Sequence, residues 1–149
     1  MTIKEQLKED LTVALKAGDK LKVSTLRSVI GAVQTQEKSG KTAVEFTEEQ
    51  VLNVLAKEAK KRLDTSEEFH VLGYTERAET EKAEAEIIQQ YLPEAASSED
   101  VKAVVASVMS AFDAPTQQDM GTIMKQAKEQ LGASVDGKML SDVVRSMLA

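Results

Sequence analysis

The chain has 149 residues, no Cys and no Trp, 3% aromatic residues and a formal charge of −6. Without cysteine, disulfides, thiolate metal sites and cysteine nucleophiles are excluded. The acidic balance argues against general coating of DNA or anionic membranes, because both require a positive field.

The negative charge is evenly spread. Residues 1–92 hold 14 Lys/Arg against 17 Asp/Glu, and residues 93–149 hold 5 against 8, so each part carries −3. Apolar residues make up 42% of the chain, so a core must come from Leu, Val, Ile, Ala and Met, which suits helix-on-helix packing. No apolar run approaches the roughly 20 residues that cross a bilayer. The N-terminus is amphipathic from its first residues, which predicts no signal peptide, and a cytoplasmic location is expected.

Apolar spacing near 3.6 predicts an all-α fold throughout. A first helix is expected from Thr2 to Ala17, with Ile3, Leu7, Leu11, Ala14 and Leu15 on its buried face. Thr2 and Glu5 form a capping-box pattern, and Gly18 ends the helix. A second helix spans Lys20 to Lys38, with Leu26, Val29, Ile30 and Val33 inward. Residues 39–45 are expected to be a disordered loop. Thr47 and Gln50 open a long third helix that reaches Leu72. Its inner side is predicted from Leu52, Leu55, Ala59, Leu63 and Phe69, and Gly73 is its stop. A fourth helix, highly charged, runs from Thr75 to Tyr91. Arg77–Glu81 and Lys82–Glu86 are i,i+4 pairs on its exposed face.

Pro93 cannot continue a helix and disfavours α geometry at Leu92. It marks a boundary between a helical domain of residues 1–92, a linker of residues 93–97 and a three-helix domain of residues 98–149. The three later helices open at Ser97 with Asp100, at Thr116 with Asp119, and at Asp136.

The inventory of chemistry is sparse. His70 is the only histidine, and its place near a helix end reads as a structural cation at the negative dipole end. No zinc, EF-hand, P-loop, Rossmann or nucleophile-elbow spacing occurs, so no metal, cofactor or catalytic residue is assigned. Three features stand out. Lys57, Lys60 and Lys61 lie at i, i+3 and i+4, beside Arg62. They read either as a ridge for RNA phosphates or as a solvated face braced by Glu58 and Asp64, and spacing alone favours the second. Arg27 borders the apolar stripe of the second helix, where it could meet phosphate or form a structural ion pair. Asp119-Met120-Gly121 and Asp136-Gly137-Lys138 stand at helix N-termini. There Gly121 lets another backbone or an extended ligand come close, and helix N-termini can bind anions, but the aspartates would oppose a phosphate, so capping plus tight helix packing is the favoured reading of both.

Taken in order, Leu26-Arg27, Lys60-Lys61-Arg62 with Ser66, Glu86 with Tyr91-Leu92-Pro93, Asp119-Met120-Gly121 and Asp136-Gly137-Lys138 resemble the GatB/YqeY family of stand-alone type. The resemblance covers essentially the whole chain. It implies an all-α N-terminal domain plus a small three-helix domain, similar to the C-terminal tail of the GatB component of aspartyl/glutamyl-tRNA amidotransferase. That tail is implicated in engaging tRNA, while the chemistry lies on other parts of the complex. The resemblance thus implies a non-catalytic module for tRNA or a protein of the tRNA-processing machinery. The carbon–nitrogen ligase label, with glutamine as amido donor, follows only by association. The alternative is a protein-interaction adaptor whose C-terminal helices present Met120, Met124, Met139 and Met147. The family usually has Arg after the glycine ending the third helix. Here Tyr74 stands there, with Arg77 one turn later.

Overall fold

A computed structural model describes residues 1–149. The chain is all-helical, with α1 (Ile3–Ala17), α2 (Lys20–Glu37), α3 (Glu48–Val71), α4 (Thr75–Gln89), α5 (Ser98–Met109), α6 (Met120–Leu131) and α7 (Gly137–Leu148). Short 3₁₀ turns at Gln117–Asp119 and Gly132–Ser134 precede and follow α6. Two compact units result, Met1–Leu92 and Pro93–Ala149.

The helix ends follow local chemistry. Thr2 caps α1 and Thr47 caps α3, each in a reciprocal capping box with Glu5 or Gln50. Gly18 adopts φ 71°, and Asp19 donates its N–H to the Ala14 carbonyl at 3.1 Å, closing α1 on a left-handed residue. The Asp19 carboxylate then accepts from Lys22 N–H at 3.1 Å and starts α2. Such a tight connection makes α1 and α2 antiparallel neighbours.

The core of the first unit is built from Leu7, Leu26, Val29, Val33, Val51, Val54, Leu55, Ala59 and Ile88. Three predicted positions differ. Leu15 of α1 is 49% exposed, because the buried face there is carried by Leu7, Leu11 and Ala14. Leu63 of α3 is also exposed, while Arg62 and Ser66 occupy the inward positions instead. Helix α4 ends at Gln89, short of Tyr91, and turn-type bonds from Tyr91 N–H to Ile88 and from Leu92 N–H to Gln89 finish it.

The α3–α4 hairpin is closed by Gly73 at φ 85° and by Tyr74 N–H donating to the Phe69 carbonyl at 2.8 Å. Ala78 and Ala85 are the fully buried residues of α4 besides Ile88. Their small side chains let α4 approach α3 closely, and the buried Ser66 hydroxyl donates to the Ala78 carbonyl at 2.7 Å across that seam.

The segment at residues 39–45 is an exposed loop whose two ends are fastened at the C-terminal end of α2. Glu37 accepts from Lys4 Nζ at 2.8 Å and from Phe46 N–H at 2.7 Å, and its own carbonyl accepts from Val44 N–H at 3.0 Å. One buried carboxylate therefore joins α1, the end of α2 and the entry to α3. Beside it, Glu48 accepts from Ile3 N–H at 3.2 Å, fastening the start of α1 to α3.

The second unit packs α5, α6 and α7 around Val101, Val105, Val108, Ile123, Ala127, Leu140, Val143 and Val144. Ser97 caps α5 in a box with Asp100. Within residues 93–97, Ala96 N–H donates to the Ser134 carbonyl at 2.8 Å. That segment is thus fastened to the second unit.

Candidate nucleic-acid interface

Helix α3 positions the basic ridge. Its capped start and 24-residue length present Lys57, Lys60 and Lys61 outward, all exposed, with Asp64 one turn further along. From Lys57 to Lys61 the helix advances about 6 Å. The cations therefore sit side by side on one rigid element.

Arg62 does not belong to that ridge. Its side chain is only 11% exposed and turns toward α2 and α4. It pairs with Glu58 at 2.7 Å and Glu84 at 3.2 Å, donates to the Ser28 hydroxyl at 2.9 Å, and donates to the Glu58 carbonyl at 3.1 Å. A planar guanidinium satisfies several directions at once, which is why Arg suits this junction of three helices. The assignment of Arg62 among phosphate-facing residues is corrected on this ground. Its donors are already committed inside the fold.

Arg27 is exposed on α2, one residue from the Ser28 hydroxyl that receives Arg62. The structural ion pair expected as its alternative role does not form. Arg77 does not reach Glu81 either; it lies over the Tyr74 ring, 5.4 Å from the centroid. Phe69 meets the same ring edge-on at 6.2 Å. Glu81, freed from that pair, has its pKa raised by burial and by the neighbouring Glu84.

The motif residues turn out to be fastenings. Tyr91 donates its hydroxyl to Asp10 on α1, whose other oxygen accepts from Gln6 at 2.8 Å. Burial, followed by the hydrogen bond and charge of Asp10, pushes the Tyr91 phenol well above its ordinary 10.0. Leu92 packs on the first core, and Pro93 opens the second unit. Asp119 accepts from Thr116 N–H at 2.9 Å, and Met120 packs on the second core. Asp136 accepts from Lys138 N–H at 3.1 Å. Gly121 and Gly137 have open space where a Cβ would point, so no close approach explains them, contrary to expectation.

His70 is exposed in the last turn of α3, and no three His, Asp or Glu residues converge as metal ligands. In the second unit a groove of about 390 Å³ is lined by Met139, Val143 and Met147 with Lys102, Lys138 and Asp142 at its edge. Met120 and Met124 pack against the core outside this groove, so two of the four expected methionines line it.

Sequence reasoning missed Glu84 and Ser28 as partners of Arg62. A signal for Glu84 was present. Residues 62 and 84 each stand 11 positions from Gly73, so an antiparallel hairpin hinged there brings them face to face. Ser66 and Ala78 also straddle this turn, though not symmetrically.

The family model described as Yqey-like protein matches residues 4–148. The chain is 32% identical over 133 residues to Altered inheritance of mitochondria protein 41, mitochondrial, of Clavispora lusitaniae, covering 86% of this chain and 75% of that one. The Candida glabrata protein of the same name is 31% identical over 98 residues, 64% of this chain and 54% of its own length. An uncharacterized Schizosaccharomyces pombe protein is 32% identical over 92 residues, 62% of this chain and 73% of that one. With a family match along nearly its whole length, the chain belongs to the Yqey-like family.

Proposed function

We propose that this chain is a non-catalytic module that engages tRNA through Lys57, Lys60 and Lys61, with Arg27 as an additional phosphate contact. The observation that carries the reading is the presentation of three exposed lysines on one side of α3. The likeness to an amidotransferase tail supplies the RNA class. The non-catalytic part rests on the side-chain inventory, with one histidine, no cysteine and no nucleophile beside a base. With Arg62 set aside, the candidate phosphate contacts are Lys57, Lys60, Lys61 and Arg27. Log K should then fall with log salt at a slope of about −2 to −4. Fluorescence anisotropy with bulk tRNA measures this, comparing wild type with Lys57→Glu/Lys61→Glu. Binding at low salt that the double variant loses supports the reading. Absence of binding at low salt, or binding indifferent to the substitutions, refutes it.

A second reading draws on the groove of the C-terminal unit, where Met139 and Met147 offer adaptable apolar surface for a protein partner. It predicts a partner that wild type retains and Met139→Glu/Met147→Glu does not, with tRNA binding the same in both.

A further inference from the structure

The far end of the α3–α4 hairpin carries the densest run of exposed apolar side chains in the chain. Val71 is 83% exposed, Leu72 66% and Tyr74 51%. Single exposed apolar residues are ordinary, but Val71 and Leu72 line one open surface together with Asp64, Glu67 and Glu68, and Tyr74 follows across the turn. The patch has a fixed shape. Gly73 at φ 85° and the Tyr74 N–H bond to Phe69 set the turn, while the Phe69 edge and the Arg77 guanidinium hold the Tyr74 ring from two directions.

Its charge surroundings select the partner. Asp64, Glu67 and Glu68 are exposed and lie at i,i+3 and i,i+4 spacing from one another and from Val71 and Leu72. They continue the apolar patch along the same side of α3. Glu76 adds a fourth carboxylate in the first turn of α4. Between residues 64 and 77, four carboxylates against the single guanidinium of Arg77 leave a balance of −3 with His70 neutral. Nucleic acid and anionic lipid are repelled by such a surface. A peptide segment bearing both apolar side chains and Lys or Arg is attracted to it.

We propose that this end of the hairpin docks a basic amphipathic helix of a partner protein, with its apolar residues on Val71, Leu72 and Tyr74 and its cations over Asp64, Glu67 and Glu68. The inference makes no use of the tRNA reading, although the lysine ridge lies on the preceding turns of the same side of α3. Charge complementarity sets the approach and register, and the apolar contact supplies most of the affinity.

The test uses the full chain and a fluorescein-labelled amphipathic helical peptide of Lys and Leu. A Lys/Gln peptide of equal charge and a Glu/Leu peptide serve as comparisons. The Lys/Leu peptide should bind and the other two should not. Val71→Ser/Leu72→Ser should weaken binding about tenfold or more. Glu67→Gln/Glu68→Gln should weaken it most at low salt. All four positions are exposed, and far-UV circular dichroism establishes that the variants fold. In the isotope-labelled protein, amide shifts on peptide addition should concentrate in residues 64–77. Equal binding of the Lys/Gln peptide, unchanged binding after Val71→Ser/Leu72→Ser, or shifts centred elsewhere would overturn the proposal.

Discussion

Replacing Arg62 with Ala should remove the hub of the first unit. Four donor contacts disappear together, to Glu58 at 2.7 Å, Glu84 at 3.2 Å, Ser28 at 2.9 Å and the Glu58 carbonyl at 3.1 Å. Two carboxylates are left facing each other without their cation, and the packed stem of Arg62 is lost as well. Breaking a fully buried ion pair costs about 3–5 kcal/mol, and an exposed one contributes about 0–1. The Glu58 and Glu84 side chains are 18% and 21% exposed, so water reaches them in part and screens the residual repulsion. An intermediate loss of about 2–3 kcal/mol follows for Arg62→Ala. With a urea slope of about 1.5 kcal/mol/M, the midpoint should fall by roughly 1.3–2 M. Far-UV circular dichroism is the assay, because the chain has no Trp to report tertiary structure. Adding Glu58→Gln and Glu84→Gln to Arg62→Ala should recover part of the loss. Arg62→Lys should still be destabilising, since a single ammonium cannot hold all three side-chain partners in the same geometry. A loss below about 0.5 kcal/mol for Arg62→Ala, within the range of ordinary surface substitutions, would refute the internal role.

Thr25→Val should stabilise the protein by about 1 kcal/mol, because the buried Thr25 hydroxyl has no hydrogen-bond partner; urea titration measures the gain. Tyr91→Phe should cost about 1–2 kcal/mol by freeing one oxygen of Asp10, again read from urea titration. In a Tyr74→Phe background Tyr91 is the sole tyrosine, and its phenolate absorbance should not appear at the ordinary pKa of 10.0 while the protein stays folded. Glu37 is held below its ordinary 4.5 by the Lys4 hydrogen bond and then by Phe46 N–H. A lowered acid pKa contributes stability that is present above 4.5 and lost as pH falls through the lower folded-state value. The gap in stability between wild type and Glu37→Gln should therefore stay level from neutral pH to about 4.5 and shrink below it, in urea titrations at stepped pH. Lys4, raised above 10.5 by the same bond, contributes in the opposite window, below 10.5 and lost as pH climbs past its raised value.

Helix positions and caps were legible in the sequence because they depend on local chemistry. Thr2, Thr47 and Ser97 each stand three residues before a side chain able to bond back, and each forms the expected box. The inner face of α3 was less legible. Hydrophobic periodicity places Leu63 inside, yet the ladder Val51, Leu55, Ala59, Arg62, Ser66 is the one that faces α2 and α4. Two polar residues in a buried row hide it from any apolar count, and only the hairpin about Gly73 supplies the carboxylate and carbonyl that make them acceptable there. Placing Arg62 on the basic ridge fails for the same reason. Adjacency in sequence to Lys60 and Lys61 says nothing about which way a residue turns, and a step of about 100° per residue separates them. The glycine of Asp119-Met120-Gly121 reads as a site of close approach, but the structure leaves it facing open space, and its presence there has no packing explanation.

The seam between α3 and α4 sets a gradient along the hairpin. Near its base, Val51, Leu55 and Ile88 belong to the core, whereas toward the turn the contacts become Arg62 with Glu84 and Ser66 with Ala78. Apolar burial thins in that direction while polar bonds take over, and elements with little buried apolar surface open at lower free energy than the molecule as a whole. Amide hydrogen exchange should therefore quicken stepwise from residue 55 toward residue 71, with the outermost turns opening in a sub-global event that leaves the base closed. The same hairpin thus behaves as a hinged pair of unequal halves, one anchored by dry packing and the other by bonds that urea, salt and pH each reach separately.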